Sequence, residues 1–110
     1  MPYMLLVVEQ PDERRYARML DFASDLQKRR LLIRTESLAS QADGVRIRTR
    51  GGKQVTMDGP FAEAKEVLGG FFLLDCQTME EAIAIGRECP AAEWSTVEVR
   101  GLGPCFVEAG

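Results

Sequence analysis

Histidine and asparagine are both missing from the chain. Without histidine there is no imidazole general base, no Ser-His or Cys-His nucleophilic pair and no His metal site. Without asparagine there is neither an N-glycosylation acceptor nor a Cys-His-Asn arrangement. Cysteine is sparse: Cys76, Cys89 and Cys105 are widely spaced, with no C-x-x-C pair. An odd, scattered set fits reduced thiols in a cytoplasm rather than a secreted disulfide framework, and they read as small buried hydrophobes. No apolar run approaches the roughly 20 residues that cross a bilayer, and no basic-then-apolar leader precedes the first strand-like segment. Nor is there an excess of positive charge. Fourteen Lys and Arg against 17 Asp and Glu give a formal net charge of −3. Nothing there draws the chain to nucleic acid. The expectation is a cytoplasmic protein with no metal, no cofactor, no nucleic acid and no membrane partner.

The 110 residues suit a single domain, residues 1–110, of which 101–110 read as a C-terminal tail. Tyr3 to Val8 is an unbroken apolar run and reads as a strand buried on both faces. Pro11 and Asp12 announce a helix whose stripe of Tyr16, Met19, Leu20, Ala23 and Leu26 faces a core, and whose end at Lys28, Arg29 and Arg30 suits the C-terminal dipole. Leu31 to Glu36 reads as a second strand and Ser37 to Gly44 as a loop. Val45 to Arg50 alternates, Gly51-Gly52 turns, and Gln54 to Met57 returns, which makes a hairpin. Its cations (Arg46, Arg48, Arg50 and Lys53) read as a solvated face that discourages edge pairing, since no aromatic residues interleave with them. Asp58 to Phe61 is a turn and Ala62 to Glu66 a short helical turn. Val67 to Cys76, the most hydrophobic stretch, reads as a central strand, its Gly69-Gly70 allowing close approach of a backbone or ligand. Thr78 to Glu81 is a capping box opening a helix with Met79, Ala82, Ile83 and Gly86 inward, ended before Pro90. Thr96 to Arg100 alternates as a last strand.

Removing the hairpin from this order leaves the split β-α-β repeat of a ferredoxin-like sheet, an α+β fold with two helices on one face. The first and central strands are apolar on both faces, and no spare helix covers the second. A second copy of the sheet is the simplest cover, so a homodimer is expected.

At Asp58 a longer pattern begins. Met57-Asp58-Gly59-Pro60-Phe61-Ala62-Glu63-Ala64-Lys65-Glu66-Val67-Leu68-Gly69-Gly70-Phe71-Phe72 resembles the DGPF motif of the YCII-related proteins, DGPFAETKE-x-LGG-[FY]-[FY], with Ala64 in place of Thr. Tyr3-Met4-Leu5-Leu6, Cys89-Pro90-Ala91-Ala92 and Val97-Glu98-Val99-Arg100 also match that family's habits. The resemblance implies a ferredoxin-like domain forming a dimeric α/β barrel, with a cavity between the two sheets as in muconolactone-isomerase-like proteins. Some members carry a His on the first helix and an Asp near the end of the second as a dyad. Here Arg18 and Cys89 stand at those places, so that chemistry does not transfer. The DGPF branch is often linked with extracytoplasmic-function sigma factors, which implies a sensory or accessory role.

Several residues are candidates for a site. Asp58 serves either as a general base at the mouth of an apolar cavity or as the organiser of its turn. Lys65 binds a carboxylate or acts as a nucleophile held by Glu66, unless the two form an exposed pair. Glu98 and Arg100 point away from Val97 and Val99; if the valines face the helices, the charged pair faces the dimer cavity, as an anion clamp or an interface pair. Phe61 is an aromatic ligand-lining candidate, and Tyr16 and Trp94 have amphipathic rings that either line a pocket or, by default, pack in the core or on the surface. Three functions remain in view. The first is a small-molecule-binding or accessory homodimer for an anionic or aromatic ligand. The second is an isomerase- or lyase-type enzyme with Asp58 or Glu98 as base and Lys65 or Arg100 stabilising charge. The third is an interaction module for a transcription regulator. Asp at Phe72 or Leu74 is expected to break the dimer or the fold.

Overall fold

A computed structural model describes residues 2–9, 11–61 and 67–105. Strand β1 (Tyr3–Val8) leads into α1 (Glu13–Lys28), followed by β2 (Leu32–Ser37), the hairpin β3 (Val45–Arg50) and β4 (Lys53–Asp58), β5 (Leu68–Leu74), α2 (Met79–Glu88) and β6 (Val97–Gly101). The main sheet has the order β2-β5-β1-β6 and is antiparallel throughout. With the hairpin set aside, that is the ferredoxin-like arrangement, an α+β fold consistent with the expectation. β3 and β4 form a separate two-stranded sheet. Among the described residues no helix is long and apolar enough to cross a membrane.

Local chemistry sets the helix ends. The Asp12 carboxylate accepts from the Arg15 amide at 2.8 Å as the N-cap of α1. At the other end the Leu31 amide donates to the Leu26 carbonyl and the Arg30 amide to that of Gln27, a Schellman closure with Arg30 at φ 59°. Thr78 Oγ1 caps α2 by accepting from the Glu81 amide at 3.2 Å, while the Glu81 carboxylate reaches back to the Gln77 amide at 2.9 Å. The reciprocal bond of the capping box thus falls one residue earlier than the pattern implies. Gly51 and Gly52 turn the hairpin at φ 56° and 78°, where side chains are strained.

The core lies between the sheet and the two helices, built on Leu5, Phe22, Leu26, Phe72, Leu74 and Ile85. Phe22 meets Phe72 edge to face with centroids 5.1 Å apart. The expected helix stripes need correction. In α1 the buried residues are Met19, Phe22 and Leu26, whereas Leu20 is 53% exposed and Tyr16 40%. In α2 Ala82, Ile85 and Gly86 are buried, while Met79 is exposed. Each helix is rotated from the expected face because three- and four-residue spacing admits two neighbouring stripes. The large ring of Phe22 and the small Gly86, which lets Leu5 and Val99 come close, choose between them. Two 3₁₀ turns, Gln41–Asp43 and Pro90–Glu93, occupy stretches that show no apolar period.

Candidate functional site

α1 crosses the sheet so that its first turns stand over β2 and the start of β5, and a cleft of about 260 Å³ opens there. Val7, Met19 and Phe72 give it an apolar floor, with Tyr16, Ser37 and Gly70 along its walls. A second hollow of about 400 Å³ shares Tyr16, Met19, Ser37 and Phe72 and continues along α1 past Leu20 and Ala23. Gly70 keeps β5 against β2: a Cβ there would stand 2.7 Å from the Glu36 carbonyl oxygen. The close approach expected of Gly69-Gly70 is therefore made by the backbone of β2, and the Leu38 amide donates to the Gly69 carbonyl at 2.8 Å.

Two hydroxyls face each other at this cleft. Ser37 Oγ donates to Tyr16 Oη over 3.4 Å, well beyond the roughly 2.7–2.8 Å of a strong hydroxyl pair. Thr35 Oγ1, by contrast, is committed to the Phe71 carbonyl at 2.9 Å. Tyr16 and Ser37 thus keep donor and acceptor capacity for another molecule. No cation lines either hollow among the described residues, and the Glu36 carboxylate is held by Arg34. The environment is apolar with two neutral polar groups. Ser37 and Thr35 were not legible as site residues, because Ser37 falls in a small polar stretch that reads as a loop; Tyr16 was.

The opposite face of the sheet carries a different pattern. Strand register places Arg34, Leu73, Met4 and Arg100 in one row and Glu36, Phe71, Leu6 and Glu98 in the next. Val97 and Val99 pack toward the helices, so Glu98 and Arg100 stand on this outer face and pair with one another. The face is an apolar centre, half-buried in the single chain, between two Arg-Glu pairs.

Arg18 and Cys89 are built for packing. Arg18 donates to both carboxylate oxygens of Glu93, at 2.7 and 3.0 Å, and its guanidinium lies 5.3 Å from the Trp94 ring centroid with Arg15 at 5.2 Å. The pairing holds Glu93 below the usual carboxylate range. Burial pushes the Cys89 thiol up to about 11, and Cys76 is raised by burial too. Cys105 is exposed. In the native protein one thiol, Cys105, is therefore expected to react rapidly with Ellman's reagent at pH 8, and all three only in denaturant; rapid native labelling of two or more would contradict the burial.

The remaining candidates lie apart. Asp58 ends β4, exposed, opposite Val45. Phe61 is buried beneath Arg46, whose guanidinium carbon is 3.9 Å from the ring centroid, beside a hollow of about 270 Å³. Lys65 and Glu66 fall outside the described residues, as does the short helical turn expected over Ala62 to Glu66. Tyr16, Asp58, Phe61 and the Glu98-Arg100 pair thus occupy separate places.

A family model for the YCII-related domain matches residues 1–104, almost the whole chain. The chain belongs to the YCII-related family. An uncharacterized protein of Rhizobium meliloti (strain 1021) is 47% identical over 58 residues, 51% of this chain and 47% of that protein. The matched part of the chain spans about half the length of that relative. This YCII-related domain thus has an α+β fold consistent with the ferredoxin-like arrangement.

Proposed function

We propose that this YCII-related protein, of the DGPF-motif branch, is a small-molecule-binding homodimer. Two copies meet through the outer sheet face, and each holds a small aromatic ligand in the cleft between α1, β2 and β5. The observation that carries this reading is the cleft itself: an apolar floor under two hydroxyls with unspent hydrogen-bonding capacity. The outer face offers an apolar centre with ion pairs closed on themselves, which suits contact between protein surfaces. Of the two ligand classes in view, the lack of a cation among the described lining residues favours a neutral aromatic over an anion, since a buried carboxylate would lack a counter-charge there. The carboxylates considered as bases stand elsewhere, Asp58 on the hairpin and Glu98 on the other side of the sheet, so the cleft supports binding rather than turnover.

Phenol and benzoate separate these classes. Titrated into the labelled protein and followed by amide NMR, phenol is expected to shift Ser37, Gly70 and the Tyr16 region at low millimolar concentration, with benzoate binding several-fold more weakly. Tyr16→Phe removes one hydrogen bond and is expected to weaken phenol about five- to tenfold. Shifts confined to the outer sheet face, or tighter binding of benzoate, would overturn the reading.

A further inference from the structure

Among the described residues the hairpin β3–β4 packs against no other strand or helix over any appreciable area. Twelve strand residues form a free two-stranded sheet, and all but Arg46 are exposed. Val45 is 56% exposed, Ile47 63% and Val55 45%. Such a ribbon is marginal in water by itself and gains stability only when a face is covered. The register sorts its two faces. Arg46, Arg48, Arg50 and Lys53 share one face with Val55 and Met57, and Val45, Ile47 and Thr49 lie on the other. No ion pair within the chain uses any of these four cations, among the described residues.

Charge and shape identify what covers it. Residues 45–58 carry four basic side chains and one acidic, a formal +3, which leaves −6 on the rest of a chain whose total is −3. The molecule measures 50 × 41 × 20 Å with a radius of gyration of 16.1 Å, against about 13 Å for a compact chain of this length. Its accessible surface of 8084 Å² exceeds by about 2,000 Å² the value for a compact monomer of 12.3 kDa. One side of a standard interface removes only about 800 Å². The surplus thus has room for a second contact besides the sheet face, and an acidic body of the right charge is already at hand in another copy.

We propose that the hairpin is an arm that reaches across the two-fold and lays its basic face on the acidic body of the partner subunit. This rests on the homodimer reading and extends it: the sheet faces supply apolar area, and the exchanged arms supply oriented electrostatic attraction in both directions, as an isologous contact requires. The arms make the dimer salt-sensitive, which apolar contact between sheets alone would not.

Sedimentation velocity of the wild type and of R48Q/R50Q/K53Q, each at 50 mM and 500 mM NaCl, tests the arm. The three substituted positions lie on the hairpin, away from the main core, and the circular dichroism of the variant is expected to match the wild type. The expected result is a wild-type dimer weakened by salt, and a variant whose dissociation constant is at least about tenfold higher at low salt and insensitive to salt. A dimer of equal strength in both proteins at both salts overturns the arm and leaves the sheet-face dimer standing. A wild-type monomer at every concentration overturns both. Fluorescence anisotropy with a labelled 20-nucleotide single strand checks the other partner of opposite charge. Micromolar binding that is lost in R48Q/R50Q/K53Q, with dimerisation unchanged, assigns the basic face to nucleic acid and overturns the arm. Hydrogen exchange gives an independent readout. Amides of residues 45–57 are expected to gain protection as the protein is concentrated through its dimer range, and concentration-independent exchange there overturns the arm.

Discussion

Phe72→Asp is expected to leave no folded protein at 25 °C. Phe72 sits at the centre of β5, 4% exposed, opposite Leu5 in the ladder and edge to face with Phe22. Truncating a phenylalanine in such a core costs about 3–5 kcal/mol. A carboxylate adds the cost of charge in an apolar place where no cation stands among the described lining residues. A domain of this size has about 5–15 kcal/mol of stability in all. Far-UV circular dichroism and amide NMR are expected to show an unfolded chain, and a cooperative melt with native-like dispersion would place the core elsewhere. Leu74, fully buried on the same face, behaves alike. Of the two outcomes expected from sequence for Asp at these positions, the geometry selects loss of the fold, because both side chains point at the helices.

Leu6→Lys is expected to do the opposite: to keep the fold and abolish the dimer. Leu6 neighbours the fully buried Leu5 in the chain, yet it stands on the outer face between Phe71 and Glu98. A lysine there keeps its methylenes along the apolar centre and finds Glu98 directly across the strand, so the folded monomer loses little. In the proposed dimer the same lysine is desolvated at the middle of the interface, where charge is least tolerated. Sedimentation is expected to give a folded species near 12.3 kDa at concentrations where the wild type is twice that mass. A stable Leu6→Lys dimer would remove the outer sheet face from the interface.

The alternation of side chains along β6 made its two faces legible in the sequence, because period two leaves no choice once one face is known to be buried, and β1, apolar throughout, read as covered on both sides. The helix faces were less legible. Met19 and Leu26 belong to two overlapping stripes, and only the contact between Phe22 and Phe72, made across 50 residues of chain, shows which is inside. The cleft was less legible still. Tyr16 comes from a helix, Ser37 from the end of a strand and Gly70 from the strand beside it, and none of the three is distinctive in its own segment. Their meeting depends on how α1 sits over β2, which is a property of packing rather than of local pattern. The hairpin was plain in the alternation around Gly51-Gly52, but its detachment from the main sheet was not. A period-two pattern is the same whether a ribbon is covered or free.

Both outer strands of the main sheet bear an Arg and a Glu two residues apart: Arg34 and Glu36 on β2, Glu98 and Arg100 on β6. β2 and β6 are also the strands left with unpaired backbone along one side. A newcomer adding itself there would have to set its own side chains against both charges of a closed pair, with no simple alternating pattern of charge or greasiness to match. Lateral growth of the sheet, the kind of association that continues into fibres, is thereby discouraged at each border. In the proposed dimer, stacking of one sheet upon another finishes after two chains, and the molecule can be sticky on its face while its rims stay inert.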